Sequence, residues 1–219
     1  MAAPDRDEGV NVASPIPDEL EGSSNILLPV LPLREICLFP EASLAAIISR
    51  PAALRSLEIA QRAGRRILAV AHRDISVAAP NPRDLHDVGT VADIVDDRSF
   101  PDGNHQVELD GHQRGRIVSL IGIDTLVAEI EPLHEDDPAD EWGPAVEALA
   151  RYLHAHAELR RFLDQQRRSK EPMAWVNLAC QHLPITATAR QKLLEANARE
   201  RCVKISRGLD ALLRKEQSA

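Results

Sequence analysis

Aromatic residues are scarce in this chain of 219 residues, which has two tryptophans, three phenylalanines and one tyrosine. A core built from this composition must be aliphatic, and few rings are available to stack on the bases of single-stranded nucleic acid. Cysteine is also rare, since Cys37, Cys180 and Cys202 form no CxxC pair and no even-numbered disulfide framework. This pattern is typical of reduced, buried thiols in a cytosolic protein.

Targeting and membrane signals are missing as well. The first residues lack a basic segment followed by an apolar core, which argues against a secretory signal. No apolar run approaches the roughly 20 residues that a membrane-spanning helix needs. We therefore expect a cytoplasmic protein that has no membrane partner.

Motifs for catalysis and metal binding are not found either. The ten glycines form no G-x-x-x-x-G-K-[S/T] phosphate loop. On a helix, His154 and His156 would point about 200° apart, so they do not form a paired metal site. The acidic residues Asp136, Asp137, Asp140 and Glu141 lack the spacing and the glycine of an EF-hand. The sequence predicts no catalytic residue, no metal ligand and no cofactor, and Cys37 is interpreted as a core cysteine.

Charge is distributed unevenly along the chain. Residues 1–141 carry a net charge of −14 and residues 142–219 a net charge of +6, which together give the total of −8. The acidic first part is a poor electrostatic partner for a phosphate backbone, which argues against nucleic acid as a ligand. The split also indicates two compositional units.

The order of segments predicts the domain organisation. Residues 1–24 are rich in Asp, Glu, Pro, Ser and Gly, and predict a disordered acidic tail. Short strand-like segments separated by turns predict a small β-barrel over residues 25–132. Residues 133–141 form an acidic linker, which we expect to be flexible, and the helical periodicity of residues 142–219 predicts a bundle.

Within the barrel, the apolar run Leu28–Pro40 predicts a strand. Because Pro29 and Pro32 cannot donate ladder hydrogen bonds, we expect it at a sheet edge or barrel rim. A helix is predicted to begin at Pro51. Further strands are predicted at residues 43–48, 66–72, 88–95, 106–110, 116–121 and 125–131, with a bulge or close backbone approach at Gly89, a hairpin turn at residues 101–104 and an interruption at Gly111.

In the helical half, four segments carry a helical apolar pattern. They are one long helix marked by Val146, Leu149, Ala150, Leu153, Ala157 and Phe162, a short helix that opens at Pro172, a helix with Leu193 and Leu194 capped by Thr188 or Thr186, and a final helix with Cys202, Ile205, Leu209 and Leu212. The spacing of the last four residues predicts a seam that packs lengthwise on other helices.

Several of these segments resemble landmarks of the N-terminal substrate-binding domain of Lon protease, in that family's order and near its spacing. They are Leu28–Pro40 with Pro32-Leu33-Arg34 at its centre, Val88–Ala92, Pro101–Gly103, and Glu108–Gly111 followed by Arg114 and Arg116–Ile117. The resemblance covers nearly the whole chain, but only the recognition module, because the ATPase loop and the serine and lysine of the family's peptidase are not found. It implies an α+β fold, in which a PUA-like small β-barrel with one or two helices precedes a C-terminal α-helical bundle.

The same resemblance implies a function. A stand-alone domain of this kind would be a non-catalytic protein-binding module or adaptor, which binds unfolded or tagged client polypeptides on the barrel face and in the cleft to the bundle. It could act with a separate protease. The candidate polypeptide-binding residues are Leu33, Arg34, Ile36, Leu38, Phe39 and Arg50. The apolar ones have a core role as their alternative, and Arg34 has a structural ion pair with a barrel residue such as Glu129. The family commonly carries a charged Glu-Lys pair after the arginine that corresponds to Arg50, where this chain has Pro51-Ala52.

Two other functions stay open from the sequence. PUA-like barrels elsewhere bind RNA, and a basic patch is available in Arg160, Arg161, Arg167, Arg168 and Lys170, although the acidic barrel argues against it. The chain could instead be a structural oligomer, such as a homodimer, that uses the seam from Cys202 to Leu212 between subunits.

Overall fold

A computed structural model describes residues 25–74, 77, 81–122, 125–136, 138–167, 169 and 171–217. The predicted disordered tail, residues 1–24, lies outside this part of the chain. The described strands are β1 (Ile26–Leu33), β2 (Ser43–Ile48), β3 (Arg66–Ala71), β4 (Val88–Ser99), β5 (His105–Ile121) and β6 (Val127–Leu133). The α-helices are α1 (Pro51–Arg62), α2 (Trp142–Ala155), α3 (Ala157–Gln166), α4 (Pro172–His182), α5 (Ala187–Glu195) and α6 (Ala198–Gln217).

The strands form one mixed sheet that closes on itself. Their order is β2-β5-β4-β3-β1-β6, and β6 also pairs with β5. The 17 residues of β5 make this closure possible, because its first half pairs with β2 and its second half with β6. On its way it also pairs with β4, from His105 to Arg116. The predicted α+β fold, a small barrel with a helix followed by a helical region, is confirmed.

Strand β1 lies between β3 and β6 in the sheet, so the edge position, one of the two that the sequence predicts, is wrong. Its first half, Ile26–Pro29, pairs antiparallel with β6, and its second half, Val30–Leu33, pairs parallel with β3. Each residue of β1 is therefore paired with a neighbouring strand on one side, either β6 or β3. A proline is accommodated in such a strand because its missing N–H can face the side that lacks a partner.

Two glycines show how closely the backbones approach. A Cβ atom on Gly89 would lie 2.5 Å from the carbonyl oxygen of Ala69, which confirms the predicted close approach. Gly111 does not interrupt a strand as predicted, since β5 runs through it without a break. A Cβ atom on Gly111 would overlap the carbonyl oxygen of Phe39. The residue is glycine because the segment after β1 lies directly against β5.

In the helical half, the single long helix predicted from Val146 to Phe162 is in fact two helices. The chain breaks at His156, whose φ of −123° and ψ of 68° end α2, and α3 begins at the next residue. The break turns Phe162 toward solvent and places Leu163 in the core instead. Thr186 is the cap of α5, because its Oγ1 accepts a hydrogen bond from the N–H of Ala189.

One core joins the barrel to the helices. Its largest cluster contains Phe39 and Val88 from the barrel together with Tyr152, Leu163 and Leu194 from the helices. The seam residues Cys202, Ile205 and Leu209 are buried in the same cluster, and Leu212 packs against it. The seam of α6 therefore packs inside this chain. The exact domain boundaries stay a prediction.

Candidate polypeptide-binding surfaces

The loop that follows β1 holds most of the residues that the sequence singles out for binding. Leu33, Leu38 and Phe39 are 5%, 1% and 0% exposed, so they lie in the core, which is the alternative that the sequence left open. Arg34 and Ile36 are exposed at the tip of the loop, on either side of Glu35, which has a φ of 66°. The structure thus brings one charged and one apolar candidate to the surface here.

The two arginine candidates occupy different environments. Arg34 lies beyond the end of β1 and is exposed, not fixed within the apolar strand. Its expected partner Glu129 instead accepts hydrogen bonds from Asn25 and Ser119, which hold the pKa of that carboxyl below its usual value. Arg50 is half-buried, and its Nη2 donates to the carbonyl of Pro32 at 3.2 Å. Arg50 therefore helps to fix the end of β1 at the entry to α1.

Two glutamines from the helices hold the segment after that loop. Gln181 of α4 accepts from the N–H of Phe39 at 3.1 Å and donates to the carbonyl of Ser43 at 2.7 Å. Gln191 of α5 accepts from the thiol of Cys37 at 3.4 Å and donates to the carbonyl of Val88 at 3.0 Å. Both side chains are buried, and each amide serves as donor and acceptor at once. The loop is therefore fixed between barrel and bundle.

Two buried arginines make a second link between the barrel and the helices. Arg114 of β5 and Arg201 of α6 are 3% and 0% exposed, and both contact Glu135, at 2.5 Å and 3.1 Å. Arg114 also donates to the carbonyl of Ala196 at 2.9 Å, and Arg201 to the side chain of Asn177 at 2.6 Å. The segment that we expected to be a flexible acidic linker is therefore anchored through Glu135. This network was not predicted from the sequence. Arg201 is a charged residue beside Cys202 of the apolar seam, and that position could have indicated a buried ion pair.

A polar cleft of about 190 Å³ opens between the barrel and the helices, beside the loop after β1. It is lined by Glu35, Cys37, Ala71, His72, Arg73, Asp74, His86, Ala187 and Thr188. His72 is 4% exposed, and neither of its ring nitrogens has a hydrogen-bond partner among the described residues. His86 lies with its Nδ1 3.5 Å from the carboxylate of Glu195. Nothing in the sequence pattern marks either histidine, because their neighbours come from distant segments.

A second concavity, of about 380 Å³, is almost entirely apolar and lies between α5 and α6. We call it the α5–α6 groove. Its lining consists of Leu183, Ile185, Ala189, Lys192, Leu193, Lys204, Ile205, Gly208, Leu209 and Leu212. The two lysines are exposed at its rim, and Gly208 leaves open space where a side chain would stand. Such a groove can accept an apolar polypeptide segment.

The described part of the chain holds neither a metal-ligand cluster nor an ionised thiol. No group of three or more His, Cys, Asp or Glu residues there is arranged to hold a metal ion. Burial raises the pKa of Cys37 and of Cys180 to about 12 and that of Cys202 to about 11, so these thiols are protonated at neutral pH. None of the helices in this part combines the length and the apolar character needed to cross a membrane.

Solved structures share this fold. The N-terminal domain of Lon protease from the Mycobacterium avium complex matches with a TM-score of 0.68 and 18% identity, over 84% of this chain and 98% of that one. The Lon N-terminal domain protein from Xanthomonas campestris matches with a TM-score of 0.57 and 21% identity, over 82% of this chain and 96% of that one.

Sequence relatives are full Lon proteases. Lon protease 1 of Thermus thermophilus is 32% identical over 196 residues, which are 85% of this chain and 24% of the relative. The Lon protease of Escherichia coli strain K12 is 38% identical over 100 residues, which are 46% of this chain and 13% of the relative. The chain thus spans about a quarter or less of the length of these relatives. The model of the ATP-dependent protease La (LON) substrate-binding domain matches residues 27–211, and the chain therefore belongs to that family.

Proposed function

We propose that this chain is a non-catalytic recognition module that binds exposed apolar segments of unfolded or tagged client polypeptides. The observation that carries the proposal is the α5–α6 groove, whose walls are apolar except for two rim lysines. Burial of apolar surface from the client drives such binding, and it needs no reacting group. The exposed Ile36 and Arg34 extend the binding surface to the loop after β1.

The module acts as an adaptor in the cytoplasm and delivers its clients to a separate protease. The family membership and the apolar groove support this role. Two arginines of the basic patch that would serve RNA have contacts within this chain. Arg160 contacts Asp164 at 3.7 Å, and Arg167 lies 4.9 Å from the centre of the Trp175 ring. Arg168 and Lys170 lie outside the described residues.

Fluorescence anisotropy of a labelled, permanently unfolded polypeptide tests the proposal. We expect saturable binding that persists from low to physiological salt, because apolar contacts are not screened by ions. A labelled single-stranded RNA in the same titration should not bind. Lack of polypeptide binding at both salt concentrations contradicts the recognition role, and hydrolysis of ATP or of the polypeptide by the pure protein contradicts the non-catalytic one.

A further inference from the structure

Strand β2 has one open side. The sheet closes through β5 and β6, and β2 pairs with β5 but with none of the other described strands. A strand at the edge of a sheet presents a row of main-chain N–H and C=O groups, to which another extended chain can add. We propose that β2 is a second polypeptide site, which binds an extended client segment that carries a basic and an apolar residue two positions apart.

The hydrogen bonds to β5 show which main-chain groups face the open side. The N–H of Gly111 in β5 donates to the carbonyl of Ala42 at 2.9 Å, and the same register continues along β2. Because bonding alternates along an antiparallel pair, every second residue of β2 from Ala42 onward bonds to β5. The N–H and C=O groups of Ala45 and Ile47 therefore point to the open side.

Gln181 of α4 limits this open row at one end. Its Nε2 donates to the carbonyl of Ser43 at 2.7 Å, which agrees with the alternation, since Ser43 is the first residue of β2 whose carbonyl faces outward. Ala45 and Ile47 follow on the side where the structure describes no pairing strand, and both residues are exposed. Two donors and two acceptors of the main chain are therefore available to a ligand.

The side chains of β2 do not protect this edge. Natural sheets often place lysine or proline on an edge strand to prevent pairing with other chains, but Ser43–Ile48 contains no charged residue and no proline. Ile47 is 69% exposed, the largest fraction among the large apolar side chains of the described residues. An uncharged edge with an exposed isoleucine readily pairs with another extended chain.

The neighbouring strands provide the charge that selects the ligand. Ala45 lies opposite Glu108 of β5, and Glu108 lies opposite Asp96 of β4. Like charges directly opposite each other on neighbouring strands destabilise a sheet, so a positive charge from a ligand is favoured here. Arg98, at the surface, approaches Asp96 only to 4.0 Å. A second copy of this chain is a poorer ligand, because its β2 brings no basic residue and its own carboxylates add to the repulsion.

The side chains of Ala45 and Ile47 define what the ligand carries. Residues two apart on a strand point to the same face, so both side chains face outward. Neighbouring strands lie about 4.8 Å apart, which puts Glu108 about 10 Å from an added strand. A lysine or arginine beside Ala45 can extend over its small methyl group toward Glu108. An apolar residue two positions along lies beside Ile47 and covers it.

The proposal rests on the proposed polypeptide binding but concerns a surface other than the α5–α6 groove. The probe is a labelled nine-residue peptide in which threonine alternates with lysine and valine in turn, so that a lysine and a valine lie two positions apart. Anisotropy should show at least tenfold tighter binding of this peptide than of one with glutamate in place of lysine. Equal binding of the two peptides overturns the assignment.

Methylation of the peptide nitrogens tests main-chain pairing without any change to the protein. In an added strand, alternate N–H groups face β2 and the others face away from it. Methylation of one alternate set of nitrogens should abolish binding, and methylation of the other set should preserve it. Similar affinities of the two methylated peptides overturn pairing with β2.

Two variants locate the site. Ala45→Pro removes a donor from the open side and no hydrogen bond to β5, which is the position where an edge strand accepts proline, and it should weaken binding of the lysine peptide at least tenfold. Glu108→Gln should reduce the preference for lysine over glutamate, whereas the control Glu131→Gln, on β6, should keep it. Undiminished binding of the lysine peptide by an Ala45→Pro variant that circular dichroism shows to be folded overturns the assignment.

The other occupants and the groove give different results. If Gly208→Trp, which fills the α5–α6 groove, abolishes binding of the lysine peptide, the peptide lies in the groove and the edge site is wrong. A dimer in light scattering that Ala45→Pro dissociates makes a second copy the occupant and also overturns the proposal. If the lysine peptide binds at β2 but the unfolded polypeptide does not bind, the proposed function fails and the edge site stands.

Discussion

The guanidinium of Arg201 lies 3.1 Å from the carboxylate of Glu135, and this one carboxylate serves two arginines that have lost nearly all contact with water. Arg201 belongs to the last helix, Arg114 to the longest strand, and Glu135 to the segment between β6 and α2. The three residues therefore fix the barrel relative to the bundle. Any change that neutralises Glu135 leaves two buried positive charges without their counter-ion.

We expect Glu135→Gln to lower the free energy of unfolding by about 2–3 kcal/mol. Breaking a buried ion pair usually removes 3–5 kcal/mol, and the 30% exposure of the Glu135 side chain reduces the effect. Urea denaturation followed by circular dichroism measures it. The matched control is Glu131→Gln, because Glu131 and its partner Arg116 are both at the surface. This substitution should change the free energy of unfolding by no more than about 1 kcal/mol. Equal effects of the two substitutions would contradict the role of Glu135 as the counter-ion of the two buried arginines.

Gly111→Ala should destabilise the protein by about 1–3 kcal/mol, because the new methyl group overlaps the carbonyl oxygen of Phe39 and the backbone must move. The control is Gly143→Ala in α2, where a Cβ atom meets nothing within 4 Å, and this variant should be unchanged or more stable. Thermal unfolding of both variants gives the comparison. A Gly111→Ala variant as stable as the parent would show that the segment from Cys37 to Pro40 can separate from β5.

Local features could be predicted from the sequence because their causes lie within a few residues. The bounds of β2, the start of α1 at Pro51 and the hairpin around Gly103, whose φ is +82°, follow from alternation and from the geometry of proline and glycine. The close approach at Gly89 belongs to the same group. The hairpin and the segment around Gly89 also carry part of the resemblance that points to the family.

Features that depend on distant segments could not be predicted. Pro29 suggests a sheet edge until its neighbour β6, about 100 residues later in the chain, is known to cover that half of β1. Gln191 gives no sign of burial in the sequence, and Phe162 fits the apolar face of a helix. Only the contacts with the barrel and the break at His156 show that Gln191 is buried and Phe162 is exposed. The cleft around His72 has the same origin, because four separate segments form its walls.

Gly208→Trp should block the α5–α6 groove and reduce the affinity for an unfolded polypeptide at least tenfold. The position is exposed, and its Cβ would enter open space, so the large side chain can fill the groove without a clash in the backbone. Gly143→Trp, at an equally open position outside the groove, is the control and should bind like the parent. Anisotropy titrations of the three proteins measure the effect. Unchanged binding by Gly208→Trp would place the client elsewhere on the surface.

Three histidines make stability depend on pH. Burial lowers the pKa of His72, His86 and His182 below the ordinary value of 6.5. As the pH falls, these histidines therefore bind protons in the unfolded chain before they do so in the folded chain. Stability from these groups is complete above about pH 6.5 and is lost as the pH falls toward their folded pKa values. Urea midpoints should therefore decrease between about pH 7.5 and pH 5.5.

His72 is the group whose share of this dependence can be isolated. Around it, Arg50 and Arg34 also lower its pKa and Asp84 opposes them, so burial and two positive charges act in the same direction. In His72→Leu the loss of stability between about pH 7.5 and pH 5.5 should be smaller than in the parent, because this variant lacks one of the histidines whose pKa is lowered by folding. His154→Gln, at an exposed position of α2, should keep the parent's full dependence. If His72→Leu loses as much stability as the parent, the imidazole takes up its proton in the folded protein as readily as in the unfolded one, and the cleft is more open to water than the structure indicates.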